Sequence, residues 1–126
     1  MRHRLSHGEQ VLYLDLNSGV SAQRALDQSL ALLRAYPDLW DWDWIVAARI
    51  VPIDATVEQI ALLARMFRKP VEPAVTVLVS EDRFLHLWAR VMDFQFPGRR
   101  HLVVADMGEA VRLIGAAPPA RKMNRI

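Results

Sequence analysis

The chain has 126 residues, no cysteine, and sixteen Lys and Arg against fourteen Asp and Glu, for a formal net charge of +2. That length makes one domain with enough chain to bury its own core, so no metal or disulfide staple is needed, and disulfide and thiolate chemistry are excluded. Basic residues are scattered, with Arg2 and Arg4 at one end and Arg121, Lys122 and Arg125 at the other, and do not form the stripe a nucleic-acid binder uses. No apolar run approaches the ~20 residues of a membrane span, and MRHRLSHGEQ lacks the apolar stretch of a secretory signal. The expectation is a soluble, cytoplasmic chain with no nucleic-acid partner and no membrane span.

Residues 1–9 read as a flexible leader, 10–116 as one α/β domain and 117–126 as a disordered basic tail. The spacing predicts a first strand over Gln10–Leu16, with Leu12, Leu14 and Leu16 on one face. A helix follows over Ser21–Ala35, with Ala22, Ala25, Leu26, Ser29, Leu30 and Leu33 at helical spacing and Pro37 as its stop. The second strand is expected over Asp43–Val51, apolar almost throughout as in a strand covered on both faces. A second helix, Val57–Arg68, carries Ile60, Leu63, Ala64 and Phe67 on one stripe. Ala74–Val79 is the third strand. Glu81–Asp93 is the third helix, with Phe84, Leu87, Trp88 and Val91 expected inward. His101–Ala105 and Met107–Ile114 make the last strand and helix.

Strand and helix thus alternate four times, which specifies βα units around a mostly parallel, or mixed, sheet of about four to five strands with helices packed on it. Each helix opens on a capping residue. Thr56 with Gln59 forms a capping box, Asp106 with Glu109 an acidic version of one, and Ser21 and Ser80 suit the other two.

Ligands of such folds bind outside the carboxyl ends of the strands. That edge is expected to carry Asp15, Asn17, Asp54, Thr56, Ser80 and Asp106. It is acidic and has no glycine-rich loop, which disfavours a phosphate or nucleotide. Asp15 and Asp54 suit Mg²⁺ as hard ligands, yet the acidic pair and the placed lysine of a phospho-receiver are missing. His3, His7, His86 and His101 follow no zinc-site spacing, and no GxSxG elbow is present. No cofactor and no metal are expected. Trp40, Trp42 and Trp44 alternate with Asp41 and Asp43. At strand spacing the three indoles share a face, which suits a protein interface or a pocket wall.

Two passages, RRHLVVADMGEAVRLIGA and DWDWIVAARIVPIDATVEQIALLARMF, together with the order of elements, resemble the STAS/SpoIIAA-like superfamily over about Gln10–Ala116. The resemblance implies a mixed sheet with an antiparallel member on its N-terminal side. In the anti-sigma-factor antagonists of that superfamily, the loop before the second helix reads Asp-Ser-Ser-Gly, with the second serine phosphorylated. The matching residues here are Asp54, Ala55, Thr56 and Val57, so Thr56 falls on the phospho-acceptor position and Val57 replaces the glycine. The superfamily also resembles lipid-binding CRAL-TRIO domains, whose functional part is an apolar pocket.

Three functions follow as expectations. One is a non-enzymatic regulatory or protein-interaction module, homodimeric or bound to another protein through the tryptophan segment or the acidic edge, with Thr56 as its switch. A second is a carrier of a small apolar molecule or lipid, in a pocket lined by Trp44, Phe67, Phe84 and Trp88. A third is an enzyme using Asp15, Asp54 and Thr56.

Overall fold

The computed structural model describes residues 2–16, 21–48, 56–66 and 69–115. The elements, in order, are β1 (Arg2–Ser6), β2 (Val11–Asp15), α1 (Ala22–Ala35), a 3-10 helix (Pro37–Asp41), β3 (Asp43–Ala47), α2 (Val57–Arg65), β4 (Ala74–Val79), α3 (Leu85–Gln95), β5 (Arg99–Val104) and α4 (Met107–Gly115). The strands form one five-stranded sheet in chain order, β1-β2-β3-β4-β5. β1 is antiparallel to β2, and every later pair is parallel.

Strands that are neighbours in both sequence and space, all stepping in one direction, place every right-handed crossover helix on the same face. α1, α2 and α3 therefore share one side, over the row Leu12, Trp44, Thr76, His101 and the row Leu14, Val46, Leu78, Val103. α4 covers the other side. Its fully buried Ala110 packs against Val11, Ile45 and Val77. α2 has no fully buried residue and packs against α1 and α3.

Local signals hold at three helix starts. Ser21 Oγ accepts the Arg24 amide at 3.2 Å, Asp106 Oδ1 accepts the Glu109 amide at 2.9 Å, and the Thr56–Gln59 capping box is complete. Elsewhere the structure corrects the sequence reading. The expected leader contains β1, an edge strand whose ladder partner is β2; its residues are exposed or half-buried, so no apolar period marks it. Trp40 belongs to the 3-10 helix begun by Pro37, and β3 starts only at Asp43, so the three tryptophans are not at strand spacing. α3 starts at Leu85, after Ser80 Oγ accepts the Asp82 amide and Asp82 Oδ1 accepts the Phe84 amide. Ser80 therefore closes a turn and does not cap the helix. On α3 Leu85 and Ala89 are buried, whereas Phe84 and Leu87, expected inward, are exposed. β5 begins two residues earlier than expected, at Arg99. The expected tail, Phe67 and the last residues of the second strand lie outside the described residues.

Gly98 precedes β5 with φ +85°, and its carbonyl accepts the Ala74 amide at 3.0 Å. A Cβ there would lie 2.8 Å from Lys69 Cγ and 3.2 Å from Pro70 Cδ. Gly98→Ala is expected to cost about 1–3 kcal/mol by backbone strain. Gly8→Ala, where a Cβ meets nothing within 4 Å, is expected to stay within about 0.5 kcal/mol of the parent. Urea unfolding of the two variants checks the contrast.

Candidate functional site

Between the sheet and α1, α2 and α3 lies a cavity of about 250 Å³. Its floor is Leu14, Trp44, Val46, Thr76 and Leu78 on the strands. Ala25, Leu26, Ser29 and Leu33 come from α1, Ile60 and Leu63 from α2, and Leu85, Trp88 and Met92 from α3. The end toward the carboxyl edge of the strands is bordered by Leu16, Ala48, Thr56 and Gln59. There Gln59 Nε2 reaches Gln23 Oε1 at 3.5 Å, linking α2 to α1.

The opposite end is closed by Trp40, Phe96, Arg99 and His101. Arg99 is buried, and its guanidinium ties three elements together. Nη1 donates to Thr76 Oγ1 at 3.1 Å, and Nη2 donates to the carbonyls of Trp40 and Trp42, the latter at 2.8 Å. Its Cζ lies 4.7 Å from the Trp40 ring centroid and 5.0 Å from that of Trp44, so two indole faces share the charge. Trp44 Nε1 donates to the Leu39 carbonyl at 2.7 Å, which holds the indole in the wall.

His101 stands beside Thr76 on the floor. Asp93 Oδ1 accepts both the His101 backbone amide, at 2.6 Å, and Nδ1, at 3.0 Å. Burial pushes the imidazole from its ordinary 6.5 down to about 4, against the hydrogen bond and charge of Asp93, and the charge of Arg99 adds to the lowering. The ring is neutral at neutral pH. With Asp93 accepting, Nδ1 carries the hydrogen and Nε2 presents a lone pair.

Among the described residues, those expected at a functional edge do not converge. Asp15 ends β2 on the face that α4 partly covers, whereas Ser80 follows β4 on the face of the other three helices. With β3 between them, their strands stand roughly 10 Å apart. Asp106 is spent on the α4 cap, and the exposed Thr56 on the α2 cap. Asn17 and Asp54 lie outside the described residues. The three tryptophans form no exposed surface. Trp40 and Trp42 are buried and Trp44 half-buried; Trp40 and Trp44 serve as pocket wall, and Trp42 packs edge-on against His7 at 5.3 Å. Of the expected pocket lining, Trp44 and Trp88 are in place, and Phe84 points to solvent, 70 % exposed. Arg99 and Thr76 carried no signal in the sequence, because only the closing of the sheet places them at the pocket end. Among the described residues, no group of three or more metal-binding side chains gathers, and no helix is long and apolar enough to cross a membrane.

Comparison with protein-family models, curated proteins and solved structures finds no match for this chain.

The folded state refuses a proton at His101 that the unfolded chain accepts below pH 6.5. Stability therefore falls as the pH drops from about 6.5 toward 4, and the loss near pH 5 is about 2 kcal/mol. Urea unfolding at pH 7 and pH 5 reads this loss, and His101→Gln is expected to remove that part of the slope.

Proposed function

We propose that the protein is a non-enzymatic binding domain that carries a small apolar molecule between its sheet and the helices α1–α3. One observation carries the reading: an apolar cavity of about 250 Å³ in a domain of this size. It is well above the ~150 Å³ cavity that stays dry and takes up benzene. Ligand sites of this kind are largely apolar with a few placed polar groups, and Thr76, Arg99 and His101 at one end fit that description. The STAS/SpoIIAA-like resemblance belongs to the same proposal, supported by the antiparallel N-terminal strand and the three helices on one face. The regulatory reading attached to Thr56 has no comparable observation behind it, since its side-chain oxygen accepts the Gln59 amide in a helix cap.

An uncharged naphthalene-based dye is expected to bind the purified chain with a rise in its fluorescence. At about a hundredfold excess over its Kd it would stabilise the fold by about 2.7 kcal/mol. Ala25→Phe, which fills the cavity from α1, is expected to weaken the dye about tenfold or more, that is by at least ~1.4 kcal/mol, while the circular dichroism stays unchanged. Equal dye binding by both proteins would remove the pocket as the site.

A further inference from the structure

We infer that the pocket selects an uncharged, compact apolar molecule, of one or two rings, whose single hydroxyl donates a hydrogen bond to Nε2 of His101. The inference rests on the pocket reading above and specifies its ligand.

The polar atoms around the cavity point to this class. At the end toward the carboxyl edge of the strands Thr56 and Gln59 hold each other in the capping box. At the closed end Thr76 Oγ1 accepts from Arg99, whose Nη2 is turned to two backbone carbonyls. His101 differs from these. Two hydrogen bonds to a single carboxylate oxygen of Asp93 fix the ring through its backbone and through Nδ1. Among the described residues nothing bonds Nε2, on the other edge of a ring that lines the cavity. An acceptor at the end of an apolar space is unfavourable until a donor meets it, and a site built this way rejects analogues that lack the donor.

Charge and size narrow the class. A carboxylate offers no hydrogen to Nε2 of a neutral imidazole, and the Arg99 guanidinium at that end already donates to Thr76 Oγ1 and to the Trp40 and Trp42 carbonyls. With a pKa of about 4, only about one molecule in a thousand is protonated at pH 7. An ammonium would be buried near the Arg99 guanidinium, which lies 5.0 Å from the Trp44 ring on the same floor. A neutral hydroxyl meets neither obstacle. A space of about 250 Å³, against ~150 Å³ for benzene, suits roughly ten to fourteen non-hydrogen atoms.

Calorimetry of the full chain at neutral pH with naphthalene, naphthol, the methyl ether of naphthol and naphthoate tests this. Naphthol is expected to bind at least about tenfold tighter than naphthalene. The methyl ether, which keeps the oxygen and loses the donor, should match naphthalene, and naphthoate should be the weakest. In His101→Phe the advantage of naphthol should vanish while naphthalene still binds. Naphthalene binding with no preference for naphthol, a methyl ether as tight as naphthol, or naphthoate as the best ligand would overturn the hydroxyl assignment and leave the pocket standing. Failure of all four compounds and of the dye would overturn the pocket and this inference with it.

Discussion

The direction in which the strands are laid down governs the rest of the molecule. β2 to β5 are added to one side in chain order, and right-handed crossovers then leave no choice of face for the three helices between them. Three helices must roof four strands, and the middle one, α2, is short and has no fully buried residue. It rests on α1 and α3 and stands over Trp44 and Val46 without filling the space above them. On the other face α4 brings the small side chain of Ala110 directly onto Val11, Ile45 and Val77, all fully buried. The cavity under α1–α3 is thus a consequence of topology and helix length.

The two ends of the open layer are chemically different. At the amino ends of the strands, polar side chains bond backbone groups beyond the regular ladder. Asp43 accepts the Val75 amide at 3.0 Å, Asp41 the Val71 amide at 2.9 Å, and Arg99 the reverse role toward the carbonyls of Trp40 and Trp42. A buried charge is tolerated only when such partners surround it, and removing one partner costs several kcal/mol. These bonds draw the 3-10 helix across the strand ends and shut the cavity there. Among the described residues at the carboxyl ends, caps and turns satisfy the starts of α1, α2 and α4 locally.

What was legible in the chain follows from the range of the forces involved. Caps are settled within four residues, and Ser21, Thr56 with Gln59, and Asp106 act as their spacing requires. The βα alternation is set by period and gave the right class of fold. β1 was hidden because an edge strand needs little apolar content and exists through its partner β2. The polar residues His86, Arg90 and Asp93 occupy one narrow face of α3, which leaves Phe84-Leu87-Val91 and Leu85-Ala89-Met92 as two apolar stripes. Only the turn at Ser80–Phe84 and the packing against β5 choose between them. Of the two uses the tryptophan segment suggests, an interface or a pocket wall, Trp40 and Trp44 serve the second, and Trp42 is buried. Arg99, nearly sixty positions away, donates to the Trp40 carbonyl and lies over its ring, and no local pattern announces it.

A cavity of about 250 Å³ is unfavourable for a small domain. At about 24 cal/mol per Å³, the figure for enclosed cavities, it represents on the order of 6 kcal/mol against a total stability of about 5–15 kcal/mol. Opening at one end lowers that cost, but walls as apolar as these give entering water few partners. Folding alone would favour larger side chains around the space. Instead Ala25 and Ser29 on α1 and Ala48 after β3 keep it wide, where a leucine or isoleucine would narrow it. A packing defect would be closed by such substitutions one at a time. Small residues on two separate elements, facing a rigidly held imidazole whose outer nitrogen meets no donor among the described residues, make a space with a defined width and a defined polar end. Both features suit the proposed binding of a small apolar molecule, and they arise from α1, the residue after β3, and β5 independently.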